Sequence, residues 1–234
     1  MRVRVQYIDH SGFYLETAEH AFVFDYFRGD LPDIPAGKHL FVMVSHGHPD
    51  HYTPDIFDRF GARPRTDFVI ADGVKIPQTD AAVTVLAPHE SAELSGVGIS
   101  TLRSTDEGVA FLIRVEGKTI LHMGDLNWWD WGAEDTPEEA EQMKRDFTGE
   151  VNFLRDKKID LAFVPLDPRL GDRFWRGADY LCRTADVKAL IPMHTWGDYT
   201  MAARLRALAQ SAPYRGRILD LTGPGQVFEL EDNA

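Results

Sequence analysis

Short apolar runs separated by polar turns fill the first half of the chain. Runs of about four to eight apolar or alternating residues are typical of β-strands. They predict strands at residues 3–8, 13–16, 21–25, 40–44, 67–71, 82–86, 109–115 and 119–123. The last two form a hairpin that turns at Glu116 and Gly117. A helix is predicted from Thr53 and Pro54 to Gly61, since proline favours a first helical turn and glycine ends helices.

Longer helical patterns alternate with single strands in the second half. A helix to about Asp156 is predicted by three signals at its start: the cap Thr136, the first-turn proline Pro137 and the capping-box glutamate Glu139. Helices are also predicted near residues 174–185 and 199–210, and a further one opening at Pro88 and His89. Strands are predicted at residues 161–165, 189–192 and 218–221. This order predicts the α/β (α+β) class, with two mixed sheets packed face to face and helices outside.

Length and composition indicate one globular domain over residues 1–234. The chain is 44% hydrophobic, which is enough for a full core. No stretch approaches the roughly 18 to 20 apolar residues of a membrane span, so no membrane partner is expected. The single cysteine, Cys182, excludes an internal disulfide and fits a reducing compartment. The first residues lack the apolar core of a signal peptide, and we expect a cytoplasmic protein.

The charge balance is strongly acidic. The formal net charge is −12, from 37 acidic and 25 basic residues. Nucleic-acid surfaces draw on patches of lysine and arginine, so general nucleic-acid binding is not expected. The expected partner is instead a small-molecule substrate.

Three histidines and an aspartate fall within six residues, directly after the apolar run at residues 40–44. They are His46, His48, Asp50 and His51. Imidazole and carboxylate are the usual ligands of zinc, iron and manganese, and a loop at a strand end lets such side chains converge. The alternative is a polar loop that is rich in histidine by chance. The density of histidine favours a metal site.

This His-x-His-x-Asp-His motif after a strand resembles the signature of the metallo-β-lactamase superfamily. Residues 119–124 lead into Asp125 and resemble the strand that carries a bridging carboxylate in that family. The strand end before His194 resembles its late metal ligand, and His10 and Asp25 resemble its opening hairpin. The matching elements occur in the family's order from about residue 10 to residue 194. The small size is nearest to the ascorbate-lactonase-like branch.

The resemblance implies a four-layer αββα sandwich and one or two divalent metal ions. Zinc is the first expectation, with manganese or iron as alternatives. The implied ligands are His46 and His48 for one ion, Asp50, His51 and His194 for another, and Asp125 as a bridge. A metal-bound hydroxide would attack the substrate, and Asp50 would be both a ligand and a general base. Asp25 would hold a ligand imidazole from behind.

The sequence departs from the family pattern at one position. The family places another histidine about 20 residues before the bridging aspartate, and this stretch contains none. Ser104 and Thr105 lie nearest to the expected position, and Asp106 could supply an oxygen instead. One ion held by Asp50, His51, Asp125 and His194 therefore stays open beside two ions.

The expected activity is hydrolysis of an ester, lactone, amide or phosphoester of a small molecule. The alternatives are a di-iron redox protein and a non-catalytic metal-binding protein on the same fold. Three tryptophans at residues 128–131 could wall a substrate pocket or cover the sheet edge. Arg169 could clamp an anionic substrate or pair with Asp167. The sequence leaves the substrate and the oligomeric state open.

Overall fold

The computed structural model describes residues 2–231, which form two compact units. The first unit contains the described residues up to Ala87 and those from Gly223 onward, and the second contains Pro88 to Thr222. Within residues 2–231 fifteen strands are present: β1 (Arg2–Asp9), β2 (Gly12–Glu16), β3 (His20–Phe24), β4 (His39–Val44), β5 (Thr66–Ala71), β6 (Ala82–Leu86), β7 (Ser91–Leu94), β8 (Val97–Arg103), β9 (Val109–Val115), β10 (Lys118–His122), β11 (Lys158–Ile159), β12 (Leu161–Pro165), β13 (Asp186–Val187), β14 (Leu190–Met193) and β15 (Val227–Glu231). The prediction of a single domain stays a prediction.

The first unit is built on a seven-stranded mixed sheet in the order β15-β1-β2-β3-β4-β5-β6. Strands β15, β1, β2 and β3 pair antiparallel, whereas β3, β4, β5 and β6 run parallel. The aromatic side chains that gave these segments their strand signal are fully buried: Phe13, Phe22, Phe24, Phe41 and Phe68. The parallel ends of β3 and β4 consequently meet at one edge of the sheet.

The second unit carries a six-stranded mixed sheet in the order β14-β12-β10-β9-β8-β7 and a two-stranded sheet of β11 and β13. Strands β7 to β10 pair antiparallel, and β10, β12 and β14 run parallel. The carboxyl ends of these three parallel strands also lie at one edge. The α/β class with two mixed sheets, predicted from the sequence, is confirmed.

Four α-helices lie within the described part of the chain: α1 (Asp55–Phe60), α2 (Pro137–Val151), α3 (Arg176–Thr184) and α4 (Met201–Ala207). The capping box predicted for α2 is present, since the Thr136 side chain accepts from the backbone of Glu139 and the Glu139 carboxylate from that of Thr136. None of the described helices is long and apolar enough for a membrane crossing.

Two predicted elements were wrong, and a third ended earlier than predicted. The segment after Pro88 forms β7 instead of a helix, and His89 takes a left-handed backbone (φ 65°) that no helix continues. Helix α2 ends at Val151, because the following chain must turn at Asp156 (φ 59°) to pair β11 with β13. Residues 218–221 make only an isolated bridge, from Ile218 to Leu190.

Gly177 makes close packing possible between α3 and the loop after β10. A Cβ at this position would overlap Asn127 Oδ1 and lie 3.3 Å from the backbone nitrogen of Trp128. Asn127 is 1% exposed and has little space in which to move. The absence of a side chain at Gly177 therefore lets the helix approach the loop that follows Asp125.

We predict that Gly177→Ala lowers the free energy of unfolding by about 1–3 kcal/mol, because the added methyl group is forced against buried atoms. Gly149→Ala is the matched control. A Cβ at Gly149, in α2, meets no heavy atom of the described chain within 4 Å apart from its chain neighbours and the backbone of its own helix. The control should raise the free energy of unfolding by about 0.5–1 kcal/mol through helix propensity. Chemical denaturation measures both, and equal effects would contradict the packing argument.

Candidate metal centre

A buried carboxylate, Asp25, organises the histidine loop in the first unit. Asp25 follows β3 with a left-handed backbone (φ 41°) and is fully buried. Its Oδ1 accepts from the backbone nitrogen of Ser45 at 2.7 Å, and its Oδ2 accepts from Ser45 Oγ at 2.6 Å. Oδ2 also accepts from His51 Nδ1 at 2.9 Å. With Nδ1 holding the proton, His51 keeps Nε2 as its ligand atom.

Ser45 orients His46 in the same way. The Ser45 hydroxyl proton goes to Asp25, so Ser45 Oγ accepts from His46 Nδ1 at 3.0 Å. His46 Nε2 is left as the acceptor and lies 3.0 Å from His48 Nδ1. Two zinc ligands at about 2.0–2.1 Å in tetrahedral geometry stand roughly 3.4 Å apart, close to this separation. His46 and His48 are therefore placed as a potential ligand pair.

His10, Asp50 and His51 form a second group of donors. One ligand atom from each lies within 4.8 Å of the others. His10 Nε2 is 3.5 Å from Asp50 Oδ2, and the rings of His10 and His51 meet edge to face at 5.3 Å. The Asp50 side chain is 32% exposed, so it faces solvent more than the buried histidines do. The rings of His46 and His51 also lie 4.0 Å apart, so the donors of this loop converge, and their division between two ions stays a prediction.

Each of the three parallel strands β10, β12 and β14 is followed within three residues by a polar side chain: Asp125, Asp167 and His194. These side chains therefore meet at one edge of the second sheet. His194 Nδ1 lies 3.0 Å from Asp167 Oδ2, and its Nε2 lies 3.5 Å from Asp125 Oδ1. All three side chains are buried. The second unit therefore repeats the arrangement of the first, in which a buried carboxylate contacts Nδ1 and leaves Nε2 as the atom that could bind a metal ion.

The charges of this group stabilise one another. Burial would lower the pKa of His194, but hydrogen bonds and charges from Asp125 and Asp167 outweigh it and raise the pKa to about 9. Burial would raise the pKa of Asp167, but hydrogen bonds from His194 and Arg169 lower it to about 2. Asp167 is accordingly an ionised carboxylate over the whole neutral range.

The segment that lacks the family's histidine lies beside Asp125. Thr105 Oγ1 donates to the carbonyl of Asn127 at 2.6 Å and accepts from the Asn127 nitrogen at 3.0 Å. A carboxylate oxygen of Asp106 lies within 4.8 Å of one of Asp125. Ser104 Oγ accepts from the Asp106 backbone at 3.1 Å. Of these three residues, Asp106 is the one that could add a charged oxygen ligand.

The tryptophan cluster lies partly in the core and partly at the surface. Trp128 packs on Phe147 and Tyr180 at 6.0 and 6.3 Å. Trp129 is 5% exposed, donates from Nε1 to the Asp125 carbonyl at 3.0 Å and lies edge to face with His194 at 5.5 Å. Trp131 is 36% exposed. The first two rings are structural, and the third reaches the surface.

Other residues considered from the sequence take structural positions. Arg169 pairs with Asp167 through Nε at 2.9 Å and Nη2 at 2.5 Å, the pairing that the sequence offered as one alternative. His122 is fully buried, accepts from the Gly124 nitrogen at 3.2 Å and packs on Phe163. Burial raises the pKa of the Cys182 thiol to about 12, so it stays protonated near neutral pH and does not suit a nucleophile.

The donors fit a divalent metal ion. Imidazole and carboxylate oxygens are ligands for zinc, manganese and iron, and histidines held at Nδ1 by a carboxylate are typical of such sites. The assignment of His46, His48, Asp50, His51, Asp125 and His194 as ligands stays a prediction. Sequence reasoning missed Asp167 as the partner of His194 and Ser45 as that of His46. Only their positions after strand ends hinted at these roles.

Comparison with known proteins supports the family resemblance. The family model described as the beta-lactamase superfamily domain matches residues 4–129, more than half of the chain. Metal-dependent hydrolase YtkL of Bacillus subtilis is 28% identical, over 97% of this chain and 100% of that protein.

Solved structures share the fold over nearly the whole chain. The metallo hydrolase Igni18 of Ignicoccus hospitalis has a TM-score of 0.65 at 17% identity and covers 99% of both chains. The diiron β-hydroxylase CmlA of Streptomyces venezuelae has a TM-score of 0.61 at 12% identity, over 97% of this chain and 54% of that one. At these identities the likeness shows the fold alone.

We predict that Asp25→Asn lowers zinc affinity about 10- to 100-fold, because His51 loses the carboxylate that orients it. Asp67→Asn is the matched control. Asp67 Oδ2 lies 2.7 Å from His39 Nε2 in the same unit, away from the predicted ligands. Competition with a chromophoric chelator gives the affinities, and circular dichroism checks the fold. Wild-type affinity in Asp25→Asn would contradict the role of Asp25.

We predict that His194 stabilises the chelator-treated protein in a pH-dependent way. The folded-state pKa of about 9 lies above the ordinary 6.5, so the stabilisation is full below pH 6.5 and lost as the pH rises through 9. This difference corresponds to roughly 3 kcal/mol. Urea denaturation of wild type and His194→Gln between pH 6 and 10 measures it. A constant stability difference between the two proteins would refute the coupling.

Proposed function

Because the chain belongs to the beta-lactamase superfamily, we propose that it is a metal-dependent hydrolase of small molecules. The bond cleaved is an ester, lactone, amide or phosphoester. The proposed cofactor is one or two divalent ions, with zinc first and manganese or iron as alternatives. YtkL, which matches over nearly the full length of both chains, carries the name metal-dependent hydrolase and supports the enzyme class.

One observation carries the proposal. In each unit a buried carboxylate at a strand end lies within hydrogen-bonding distance of a histidine Nδ1, at 2.9 Å for Asp25 and His51 and 3.0 Å for Asp167 and His194. Both histidines therefore present Nε2, and both lie beside further donors of the predicted ligand set. Stability alone does not require two imidazoles that carboxylates orient in this way, whereas metal binding does.

The proposed ligands are His46 and His48 at one position, Asp50, His51 and His194 at the other, and Asp125 at both. A divalent cation supplies Lewis acidity, which polarises the bond to be cleaved and makes water acidic near neutral pH. Asp50 is the group that accepts a proton, since its side chain is 32% exposed whereas Asp125 is buried. His10, with Nε2 at 3.5 Å from Asp50 Oδ2, orients this carboxylate.

The position that lacks a histidine is proposed to use Asp106. A carboxylate there in place of an imidazole favours a harder ion such as manganese over zinc. Asp106 is exposed, so its contribution is expected to be weaker than that of a buried ligand. We therefore expect the ion at His46 and His48 to be the first one lost to a chelator.

Expected location and partners follow from composition. A reducing cytoplasm is the compartment that the single cysteine supports, and the net charge of −12 does not favour general nucleic-acid binding. The fold is also compatible with di-iron chemistry, because CmlA, named a diiron β-hydroxylase, shares it. A non-catalytic metal-binding protein is the other alternative.

We predict that a chelator abolishes hydrolysis of a panel of p-nitrophenyl esters, phosphodiesters and lactones, and that zinc or manganese restores it. Asp50→Asn should lower kcat at least about 100-fold, because a group that accepts a proton is removed. Asp55→Asn, an exposed carboxylate at the start of α1, is the control and should keep wild-type kcat.

Three results would separate the alternatives. Chelator-resistant turnover, or full activity in Asp50→Asn, would reject the proposed mechanism. Tight metal binding with no turnover across the panel would favour the non-catalytic alternative. Oxygen consumption by the iron-loaded protein with a reductant, without hydrolysis, would favour the di-iron alternative.

A further inference from the structure

We infer that Trp131, Arg169 and Trp196 form a binding wall for a flat ring that carries an anionic group. These three residues, named here the Trp–Arg wall, belong to the second unit. The inference rests on the proposed function, because it gives the substrate class of that same site. It adds which part of a substrate is recognised and by which side chains.

The Arg169 guanidinium lies within cation–π distance of two tryptophan rings. Its central carbon is 4.6 Å from the ring centre of Trp196 and 5.5 Å from that of Trp131. Trp131 in turn stacks on Trp129 at 6.0 Å with an angle of 7° between the planes. Asp167 accepts from one edge of the guanidinium, through Nε and Nη2. The wall is therefore ordered from behind by a buried carboxylate and a buried ring.

The three side chains are exposed although two of them are large and apolar. Exposure is 36% for Trp131, 51% for Trp196 and 47% for the Arg169 side chain. Burying a tryptophan is strongly favourable, so two adjacent exposed rings indicate a surface that a ligand covers. The ordered guanidinium next to both rings makes this surface selective for a negative charge as well as for a flat shape.

Backbone strain supports a functional position for Trp196. Its φ of 51° is left-handed, and so is that of His194, at 57°. Such conformations are unfavourable in residues other than glycine, and they persist where surrounding structure enforces them. Here the backbone places one side chain inward, in contact with Asp125 and Asp167, and the other at the surface.

The wall is joined directly to a proposed metal ligand. Trp196 lies edge to face with His194 at 5.7 Å, and its Nε1 donates to Asp167 Oδ2 at 3.2 Å. The same oxygen lies 3.0 Å from His194 Nδ1. A ring that contacts Trp196 would thus rest on a side chain that itself touches His194. The wall is positioned to hold the part of a substrate next to the bond that is cleaved.

The chemistry of the side chains gives the ligand class. A guanidinium has five N–H donors in a planar fork, which matches a carboxylate or a phosphate. An indole ring stacks on aromatic or other flat rings. A ring with an attached carboxylate or phosphate satisfies both groups together. A simple anion would use Arg169 alone, and a neutral ring would use only the tryptophans.

Isothermal titration calorimetry with phenylphosphonate and methylphosphonate tests the inference on the zinc-loaded protein. Both probes carry the same anionic group, but only phenylphosphonate carries a ring, and neither has an ester bond to hydrolyse. We expect phenylphosphonate to bind at least about fivefold more tightly than methylphosphonate, which is the range of one aromatic contact. Equal affinities, or no binding of either probe, would overturn the inference.

Variants of Trp196 separate ring contact from structural support. Trp196→Phe keeps an aromatic ring but loses the Nε1 bond to Asp167, and it should retain most of the phenylphosphonate preference. Trp196→Ala and Trp131→Ala should each reduce that preference about fivefold and leave methylphosphonate affinity nearly unchanged. Trp175→Ala removes a tryptophan whose Nε1 bonds to the Asp172 carbonyl, outside the wall, and should change neither.

Arg169→Gln and Arg169→Lys test the anionic part. Gln should weaken both probes about tenfold, whereas Lys, which keeps the charge without the fork, should weaken them less. Unchanged affinities in Arg169→Gln would show that Arg169 only supports Asp167, and would overturn the anionic assignment.

The binding measurements do not depend on turnover. A ring preference that requires Trp196, in a protein that hydrolyses nothing, would reject the proposed function and keep the wall. Hydrolysis without any such preference would reject the wall and keep the function.

Discussion

A buried carboxylate bonded to a histidine Nδ1 is the interaction on which the candidate ligands of each unit depend. Moving a carboxylate out of water costs several kcal/mol, so it is tolerated only when hydrogen bonds replace the lost hydration. Asp25 obtains them from Ser45 and His51, and Asp167 from Arg169, Trp196 and His194. The same bonds that make burial tolerable also set the imidazole tautomers. Ligand orientation is thus a direct consequence of the hydrogen bonds that make these buried carboxylates tolerable.

The strand ends that carry these groups are strained. His10, Asp25 and His194 all have left-handed backbones, with φ of 51°, 41° and 57°. Glycine would adopt these conformations without cost, but it has no side chain to bind a metal or to hold a ligand. The regular sheets are the part of the structure that can supply this free energy, because their aromatic residues are fully buried. The packing of the sheet cores therefore compensates for the strained backbone at positions where side chains point away from regular strand directions.

The strands and the loop chemistry were predictable because both signals are local. Apolar runs predicted β1 to β6, and the density of histidine at residues 46–51 indicated metal ligands from neighbouring positions alone. The hairpin of β7 and β8 was missed because its first strand is short and polar. It pairs with the adjacent strand β8, from Ser91 opposite Ser100 to Leu94 opposite Val97, and so forms a tight local hairpin. Asp167 was linked to Arg169 but not to His194, since a contact across 27 residues leaves no periodic signal.

Asp167 connects the two activities proposed for the second unit. One of its oxygens contacts His194, Trp196 and Arg169, so a change in any of the three alters the field and geometry at the other two. Substrate recognition at the Trp–Arg wall and ligand orientation at His194 are therefore not independent. A bound substrate that draws the Arg169 guanidinium outward would weaken its bond to Asp167. The negative charge of the Asp167 carboxylate would then act more strongly on His194. A more negative partner makes an imidazole a stronger electron donor. Occupation of the wall would in this way strengthen His194 as a ligand when substrate is present.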